Sequence, residues 1–243
     1  MLTHPMTRHE ERDKAPVHSV VGRRDLNLST YVLTLTKENL EFVPGQHVHL
    51  GVTGSSDLRE YSIYSGKDDT TIEVLIREIG DGLVSRQLRR LGRHDAVRLE
   101  GPFGYFTIPD EARSDRFLFV VTGTGIAPFR SIATSYTGIE YRLIHGIGTA
   151  EDRFDYHYFD PSRITTCLSK QLPEDAVRPY GNDDHANEQQ WFAGRVTNYL
   201  SEHPIDPATK CYLCGNCDMI YEVFDILKRF GVPSSNLYSE VYF

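Results

Sequence analysis

The segment Arg59-Glu60-Tyr61-Ser62 offers a cation, an aromatic ring and a hydroxyl within four residues. In a β-strand, residues i and i+2 share one face, so Arg59 and Tyr61 would line one surface with Ser62 at its edge. A guanidinium binds phosphate bidentately, while a ring and a hydroxyl can contact a flat heterocycle. A flavin dinucleotide requires this combination, although an ordinary half-exposed strand could also carry an Arg and a Tyr.

A second candidate phosphate site begins at Gly80-Asp81-Gly82, where a loop enters an amphipathic stretch. The first N–H groups of a helix have no intrahelical acceptor and can bind an anion. The glycines permit close backbone approach. With Arg59 and the Ser85 hydroxyl, these groups would hold one pyrophosphate; a plain helix start is the alternative. The residues predicted to contribute are Gly82, Leu83, Val84 and Ser85.

A third motif, Gly123-Thr124-Gly125-Ile126-Ala127-Pro128, follows the apolar run Phe117–Thr122. Ligands of open α/β sheets bind at the carboxyl ends of the strands. Pro suits a first helical turn because it has no N–H to leave unpaired. We therefore predict that a dinucleotide pyrophosphate binds here, with a tight turn lacking a ligand as the alternative. The predicted contacts are Thr122, Gly123, Thr124, Gly125, Ile126 and Pro128.

The remaining thiols and imidazoles do not predict a metal site. Cys211, Cys214 and Cys217 are spaced C-x-x-C-x-x-C, which resembles part of an iron–sulfur ligand run. A straight strand points residues i and i+3 to opposite faces, and no fourth cysteine follows, so we expect free thiols. The pair His47 and His49 shares one strand face and is interpreted as structural.

Composition narrows the class of protein. The chain has 243 residues with 40% hydrophobic and 11% aromatic content, as expected for a packed globular protein. A net charge of −8 argues against nucleic-acid binding, which favours a basic surface. No window approaches the length of a membrane span. Residues 1–16 are predicted to be a polar tail without a signal peptide, so a cytoplasmic protein is expected.

Two halves with different periodicity must position these side chains. Residues 17–108 contain short β-branched or aromatic runs separated by turn signals, which predicts a six-stranded antiparallel barrel. Strands and helices then alternate, which predicts a parallel α/β sheet. The predicted domains are 17–112 and 113–243. The predicted barrel strands are Val17–Val21, Thr30–Thr36, Gln46–Val52, Arg59–Ser65, Thr71–Arg77 and Ala96–Glu100, with a helix at Leu83–Leu91.

The second half is predicted to have four strands and three helices, with Arg178–Gln190 as an exposed polar loop. The predicted strands are Phe117–Thr122, Glu140–Ile147, Arg163–Ser169 and Cys211–Leu213. The predicted helices are Ala127–Tyr136, Gly194–Leu200 and Cys217–Phe230.

Taken in order, R-x-Y-S, G-T-G-I-A-P, Cys214-Gly215-Asn216 and the ending Glu240-Val241-Tyr242-Phe243 resemble the ferredoxin–NADP(+) reductase family over about residues 17 to 243. The resemblance implies a Greek-key FAD barrel followed by a Rossmann-like pyridine-nucleotide domain. It implies FAD rather than FMN, with Tyr61 stacked on the flavin and Ser62 near its N5 atom.

The resemblance also assigns the end of the chain to the reaction site. It implies that Cys214 and Gly215 lie beside the nicotinamide and that Glu240 is catalytic. A terminal ring would cover the second flavin face and move aside for the nicotinamide. Because Phe243 follows Tyr242, either ring could do so, and Tyr242 is favoured.

Coenzyme preference depends on the residue after His145-Gly146-Ile147. Bacterial relatives often carry an Arg there that holds the 2′-phosphate, whereas this chain has Gly148. Arg153 and Arg163 are near in sequence and could substitute. Glu151 and Asp152 would oppose a phosphate but suit a ribose diol. The resemblance slightly favours NADP(H) over NAD(H).

The implied activity is hydride transfer between NADP(H) and FAD, with single electrons exchanged with a ferredoxin or flavodoxin. One alternative is the NADH-dependent reductase component of an oxygenase system, its iron–sulfur centre on another chain because no C-x4-C-x2-C run is present. Another is a non-catalytic flavin-binding regulatory subunit. A monomer or weak dimer is expected. The candidate docking surface, alternatively a solvated helix face, is Arg86, Arg89, Arg90, Arg93 and Arg98.

Overall fold

The computed structural model describes residues 17–80, 82–170 and 190–242, and its first half is an antiparallel β-barrel. The strand order is β4-β3-β6-β1-β2-β5. A bridge between Ile63 and Val74 joins the two outer strands and closes the barrel. The strands are β1 (Val17–Asp25), β2 (Thr30–Thr36), β3 (His47–Val52), β4 (Arg59–Ser62), β5 (Thr71–Arg77) and β6 (Ala96–Phe103), with helix α1 (Leu83–Arg89) between β5 and β6.

Apolar side chains at alternate positions along the strands form the core of the barrel. Val48 and Leu50 of β3 and Ile72, Val74 and Ile76 of β5 are fully buried, as expected when every second side chain points inward. Their intervening neighbours are at least partly exposed, apart from Leu75, which joins the core beneath the second domain. The period-two pattern therefore both forms the strands and defines the inner face.

The second half is a parallel six-stranded sheet in the order β10-β9-β8-β7-β11-β12. Its strands are β7 (Arg116–Thr122), β8 (Glu140–Ile147), β9 (Ile164–Leu168), β10 (Gln190–Ala193), β11 (Lys210–Asn216) and β12 (Leu237–Tyr242). Its helices are α2 (Ala127–Ser135), α3 (Val196–Glu202) and α4 (Cys217–Arg229). In the described part of the chain, no helix is long and apolar enough to cross a membrane.

The fold class is confirmed, whereas two strands were not predicted. Gln190 was placed at the end of an exposed loop but begins β10, which pairs with β9. Residues 178–189 of the predicted loop lie outside the described residues, as does the predicted tail 1–16. Strand β12 was also missed, because its sequence Leu-Tyr-Ser-Glu-Val-Tyr lacks a clear apolar pattern. The domain boundaries stay a prediction.

Two clusters of polar contacts join the barrel to the parallel sheet. Arg24 of β1 donates two hydrogen bonds to Asp155, of 2.8 and 2.6 Å, and Tyr64 donates a third of 3.1 Å. Arg130 of α2 forms a 2.6 Å ion pair with Glu73 of β5. Burial opposes ionisation of Asp155, but Arg24 holds the pKa of that carboxyl below its usual range. One hydrophobic core also extends across both halves.

Candidate functional site

The three predicted catalytic residues and Tyr242 meet at the junction between the barrel and the parallel sheet. The Ser62 hydroxyl donates to Oε1 of Glu240 over 2.8 Å, and the Tyr242 hydroxyl donates to Oγ of Ser62 over 2.5 Å. The Cys214 thiol hydrogen-bonds with the Tyr242 hydroxyl. A continuous chain of polar groups therefore connects the two halves of the protein.

Strand register explains why these side chains meet. Cys214 of β11 is aligned with Glu240 of β12, and aligned residues of neighbouring strands point to the same face. Ser62 is the last residue of β4, so its side chain points opposite to that of Tyr61. The Tyr61 ring packs against the barrel core, while the Ser62 hydroxyl points out of the barrel to Glu240.

Burial controls the protonation of this cluster. It raises the pKa of Glu240; the hydrogen bond from Ser62 opposes this shift, and the Glu60 carboxylate adds to it. It also raises the pKa of both Cys214 and Tyr242 well above their ordinary values. At neutral pH the thiol and the phenol are therefore protonated, and Glu240 is the member best able to exchange a proton.

The predicted pyridine-nucleotide turn forms a narrow cradle where β7 and β11 end. A Cβ added to Gly125 would lie 2.5 Å from the Cys214 carbonyl oxygen. One added to Gly215 would lie 2.3 Å from Thr122 Oγ1, which accepts a 2.9 Å hydrogen bond from the Asn216 N–H. Since any larger residue would collide, only glycine lets the two turns approach this closely.

The rest of this motif is arranged as predicted at a strand-to-helix turn. Residues Gly123–Ile126, which include Thr124, form a short 3₁₀ turn directly after β7. Helix α2 follows, with Pro128 in its first turn. Ile126 is fully buried and anchors the turn in the core. The turn thus leaves β7 at the sheet edge where open α/β folds bind ligands.

The buried imidazole of His145 on β8 hydrogen-bonds to the Gly123–Ile126 turn. Its Nε2 lies 2.9 Å from the Gly123 carbonyl oxygen and its Nδ1 lies 2.7 Å from the Tyr156 hydroxyl. Because a carbonyl only accepts, Nε2 carries the proton and Nδ1 accepts from Tyr156. Burial lowers the pKa of His145 to about 4, although the bond to Gly123 opposes the shift. The imidazole is therefore neutral at neutral pH.

This depressed pKa predicts a specific loss of stability in acid. The unfolded chain protonates His145 near pH 6.5, while the folded protein resists protonation until about pH 4. The stabilisation is present above pH 6.5 and is lost as the pH falls toward 4. Between pH 7 and pH 5, the free energy of unfolding should fall by about 2 kcal/mol more in the wild type than in His145→Gln. Denaturant unfolding at both pH values measures this, and equal losses would contradict it.

The predicted flavin residues Arg59 and Tyr61 lie on β4. Arg59 is exposed, and its Nη1 donates to the Leu58 carbonyl oxygen over 2.8 Å. Within the described ranges no carboxylate forms an ion pair with Arg59, so its guanidinium is available to an anion. Tyr61 is half-buried, and burial raises its pKa to about 12.

The predicted pyrophosphate loop enters α1 as expected. Gly82 is the N-cap residue, and no side chain caps the first N–H groups. Leu83 is exposed and Val84 packs in the barrel core. The Ser85 hydroxyl turns inward and donates to the Gly82 carbonyl over 3.4 Å. The open N–H groups and the Arg59 guanidinium are the donor types that a pyrophosphate requires.

Arg77 is a residue that sequence reasoning missed. It is the exposed last residue of β5, and its Nη1 would be 3.6 Å from a Cβ added to Gly123. It therefore brings a barrel cation to the nucleotide turn of the other half. No sequence pattern signals this, because the two residues are far apart in the chain and lie in different sheets.

The residues considered for coenzyme preference separate in space. A Cβ added to Gly148 would lie 3.5 Å from Oδ2 of Asp152 and 3.9 Å from Cε of Lys170. Asp152 is buried, and its Oδ1 accepts a 3.1 Å hydrogen bond from Asn27. The position that carries Arg in relatives therefore lies between one carboxylate and one exposed lysine.

The two arginines considered as substitutes differ in their surroundings. The Arg153 guanidinium lies over the rings of Tyr156 and Trp191, 5.2 and 5.0 Å from their centroids. Arg163 donates to the Ile139 carbonyl over 2.7 Å at the start of β8, whereas Gly148 follows the end of that strand. The suggestion that Arg163 replaces the missing Arg is therefore wrong.

The remaining predicted groups are placed as follows. Cys211 and Cys214 are buried in β11, and burial raises the pKa of Cys211 to about 12. Phe243 lies outside the described residues, so its part in covering the flavin stays a prediction. In the arginine cluster, Arg89 pairs with Asp25 and Glu78, and Arg98 pairs with Glu100. The exposed members are Arg86, Arg90 and Arg93.

Comparison with known proteins identifies a family for the barrel. Residues 20–108 match the oxidoreductase FAD-binding domain family. The toluate 1,2-dioxygenase electron transfer component of Pseudomonas putida is 29% identical over 90% of this chain and 65% of its own length. The aromatic O-demethylase reductase subunit of an Amycolatopsis strain is 33% identical over 87% of this chain and 64% of its own. The chain therefore spans less than two thirds of these two relatives.

A solved structure defines the fold. The ferredoxin NADP+ reductase of Neisseria gonorrhoeae, crystallised with bound FAD and NADP, superposes with a TM-score of 0.73 at 19% identity, covering 95% of this chain and 99% of that one. The barrel followed by the parallel α/β sheet is the fold of that reductase. The fold therefore agrees with the resemblance to the ferredoxin–NADP(+) reductase family, and the barrel residues 20–108 match an FAD-binding domain family.

Proposed function

We propose that this chain is an FAD-dependent NADH reductase that passes electrons to the iron–sulfur or flavin protein of an oxygenase system. The hydrogen-bonded chain of Tyr242, Ser62 and Glu240 across the two halves carries the proposal. When bound, FAD accepts a hydride from a reduced pyridine nucleotide and releases electrons singly. Relatives named as electron transfer components of dioxygenases support the kind of partner.

The chain supplies binding groups for FAD on the barrel. Arg59 and the uncapped first turn of α1 would hold the pyrophosphate. Tyr61 would contact the flavin ring, and the Ser62 hydroxyl would face its reactive edge. Glu240 keeps Ser62 oriented and, because its pKa is raised, can take up or release a proton there.

The pyridine nucleotide would bind at the ends of β7 and β11. Gly125 and Gly215 let the two turns approach closely, and Arg77 brings a cation to the turn that contains Gly125. Cys214 would lie beside the nicotinamide. The Tyr242 hydroxyl is hydrogen-bonded to this thiol, so the Tyr242 side chain would have to move for the nicotinamide to reach the flavin.

The geometry favours NADH, in contrast to the slight preference for NADP(H) that the resemblance implies. In dinucleotide-binding folds, an acidic residue that follows the second strand hydrogen-bonds the adenosine ribose hydroxyls. Asp152 follows β8, the second strand of this half, and lies beside Gly148. A 2′-phosphate there would be repelled by the carboxylate, and the exposed Lys170 would offset this charge in part.

Anaerobic addition of each coenzyme to the flavin-loaded protein tests the activity. We expect NADH to bleach the flavin absorbance near about 450 nm, with kcat/KM at least about tenfold higher for NADH than for NADPH, equal to roughly 1.4 kcal/mol. A flavin-loaded protein that neither coenzyme bleaches would indicate a non-catalytic binding subunit. A preference for NADPH would overturn the coenzyme assignment alone.

Gly148→Arg is expected to move the preference toward NADPH. The introduced guanidinium would form a charge-assisted contact with a 2′-phosphate, so the NADPH/NADH ratio of kcat/KM should rise about tenfold or more. Gly22→Arg is a matched control, since Gly22 lies in the barrel with open space around it. An equal ratio in the two variants would contradict the placement of the 2′ position at Gly148.

The partner would dock on the exposed cations of the α1 region. Arg86, Arg90 and Arg93 have no carboxylate partner within the described ranges, whereas Arg89 and Arg98 are neutralised by ion pairs. This leaves a local positive patch on a protein of net charge −8. Such a patch suits an acidic electron carrier and makes the association rate dependent on salt.

A further inference from the structure

Three side chains with metal-ligand chemistry converge on the outer face of the barrel. His47, His49 and Glu60 each offer one ligand atom, and these atoms lie within 4.8 Å of one another. His49 Nε2 and Glu60 Oε1 are 3.4 Å apart, and the two imidazole rings are 5.8 Å apart with an interplanar angle of 22°. The sequence shows the His-x-His pair but gives no sign of its third member.

The backbone fixes this convergence. His47 and His49 are two positions apart on β3, so both point to one face. The register between β3 and β4 places Glu60 directly opposite His49, where side chains of neighbouring antiparallel strands meet. Val48 between the histidines points into the barrel core. The cluster is therefore set by two paired strands rather than by a loop.

Neighbouring groups hold the imidazole rings in place. The ring of Phe103 on β6 lies 4.7 Å from that of His49 and 6.2 Å from that of His47. A Cβ added to Gly104 would lie 2.8 Å from Nδ1 of His47, so the bare glycine makes room for this ring. Phe103 and Gly104 therefore restrict the positions of the two imidazole rings, whereas the exposed Glu60 side chain can change its rotamer.

We propose that His47, His49 and Glu60 bind a divalent transition-metal ion of the Zn²⁺ type. Two imidazoles and one carboxylate are a ligand set that Zn²⁺ uses, with bonds of about 2.0–2.2 Å and a remaining position for water. Mg²⁺ and Ca²⁺ prefer oxygen ligands and do not match it. The observed 3.4 Å between His49 and Glu60 suits ligands of one tetrahedral ion, and all three ligand atoms lie within 4.8 Å of one another.

The site lies beside the reaction centre but is separate from it. Glu60 and Ser62 are two positions apart on β4 and share one face, and His47 is aligned with Ser62, so the ion would bind next to the Ser62 hydroxyl. None of the three ligands belongs to the chain of Tyr242, Ser62 and Glu240. The inference therefore does not depend on the proposed reductase activity.

Calorimetric titration of Zn²⁺ into the tag-free, flavin-loaded protein tests the site. We expect one ion bound per chain at this site, and a Kd weakened at least about tenfold in both His49→Gln and Glu60→Gln. His157→Gln is the matched control, because His157 is exposed and its ring contacts that of Tyr158 in the other half of the chain. Its Kd should equal that of the wild type. Unchanged melting temperatures in EDTA would show that the variants are folded.

Cobalt gives a second readout of the same ligands. Co²⁺ bound to the wild type should show the visible bands of a nitrogen- and oxygen-ligated tetrahedral ion, and His49→Gln should lose them. No saturable Zn²⁺ binding, or equal weakening in His157→Gln and His49→Gln, would overturn the proposal. Displacement of Zn²⁺ by a modest excess of Mg²⁺ would overturn it as well.

Discussion

Ser62→Ala is expected to slow reduction of the flavin by pyridine nucleotide by about 10²–10³-fold, the usual effect of losing one oriented donor at a reaction centre. The hydroxyl is bonded to both Glu240 and Tyr242, so its removal leaves a carboxyl and a phenol without their shared partner. Stopped-flow mixing under anaerobic conditions measures the rate directly.

Ser65→Ala is the matched control for this experiment. Ser65 is buried three residues further along the chain, and its hydroxyl accepts a 3.1 Å hydrogen bond from the Glu73 N–H. It should bind FAD and react at nearly the wild-type rate. A Ser62→Ala rate within about threefold of the wild type would remove Ser62 from the reaction centre.

Glu240→Gln separates proton exchange from positioning. Glutamine can still accept the Ser62 hydrogen bond but cannot titrate. Because burial raises the pKa of Glu240, the wild-type rate should change with pH above the ordinary titration range of a carboxyl. The variant should lose that transition, whereas an unchanged pH profile would assign the transition to another group.

The second large effect is expected from Gly125→Ala. The new Cβ would lie 2.5 Å from the Cys214 carbonyl oxygen, a backbone atom that can yield only by moving β11. Displacement of the Cys214 turn by even about 1 Å can reduce the hydride-transfer rate about 100-fold. We also expect the free energy of unfolding to fall by about 1–3 kcal/mol.

Gly22→Ala controls for the loss of a glycine as such. A Cβ at Gly22 would meet no atom within 4 Å, so this variant should keep the wild-type stability and rate. Rapid mixing with NADH and denaturant unfolding compare both variants. If Gly125→Ala reduces the flavin as fast as Gly22→Ala does, the two turns do not form the nucleotide cradle.

The sequence predicted the fold class and most of the strands because their periodicity is strong. Thr71–Arg77 alternates apart from Leu75, and β7 is a nearly continuous apolar run. Strand β12 could not be predicted in the same way, since it is an edge strand with half-buried residues such as Tyr238. Its pairing with β11 is a tertiary contact that local patterns do not encode.

The site was only partly predictable for a similar reason. Ser62 and Glu240 are 178 positions apart, and only the family resemblance associated them. The resemblance could not reveal Arg77 beside Gly123, nor Glu60 opposite His49, because both depend on how strands align. Closeness in sequence makes Arg163 a coenzyme candidate, although the length of β8 separates it from Gly148.

The contacts of Arg24, Asp155, Arg130 and Glu73 bear on protein engineering. They tie the orientation of the two halves to particular side chains, so neither half is an interchangeable module. A chimera that joins this parallel-sheet half to the barrel of another protein of the same fold would bury Asp155 and Arg130 without their counter-ions. Recombination should therefore transfer these pairs together with the shared core, or its products will hold Ser62 and Glu240 out of alignment.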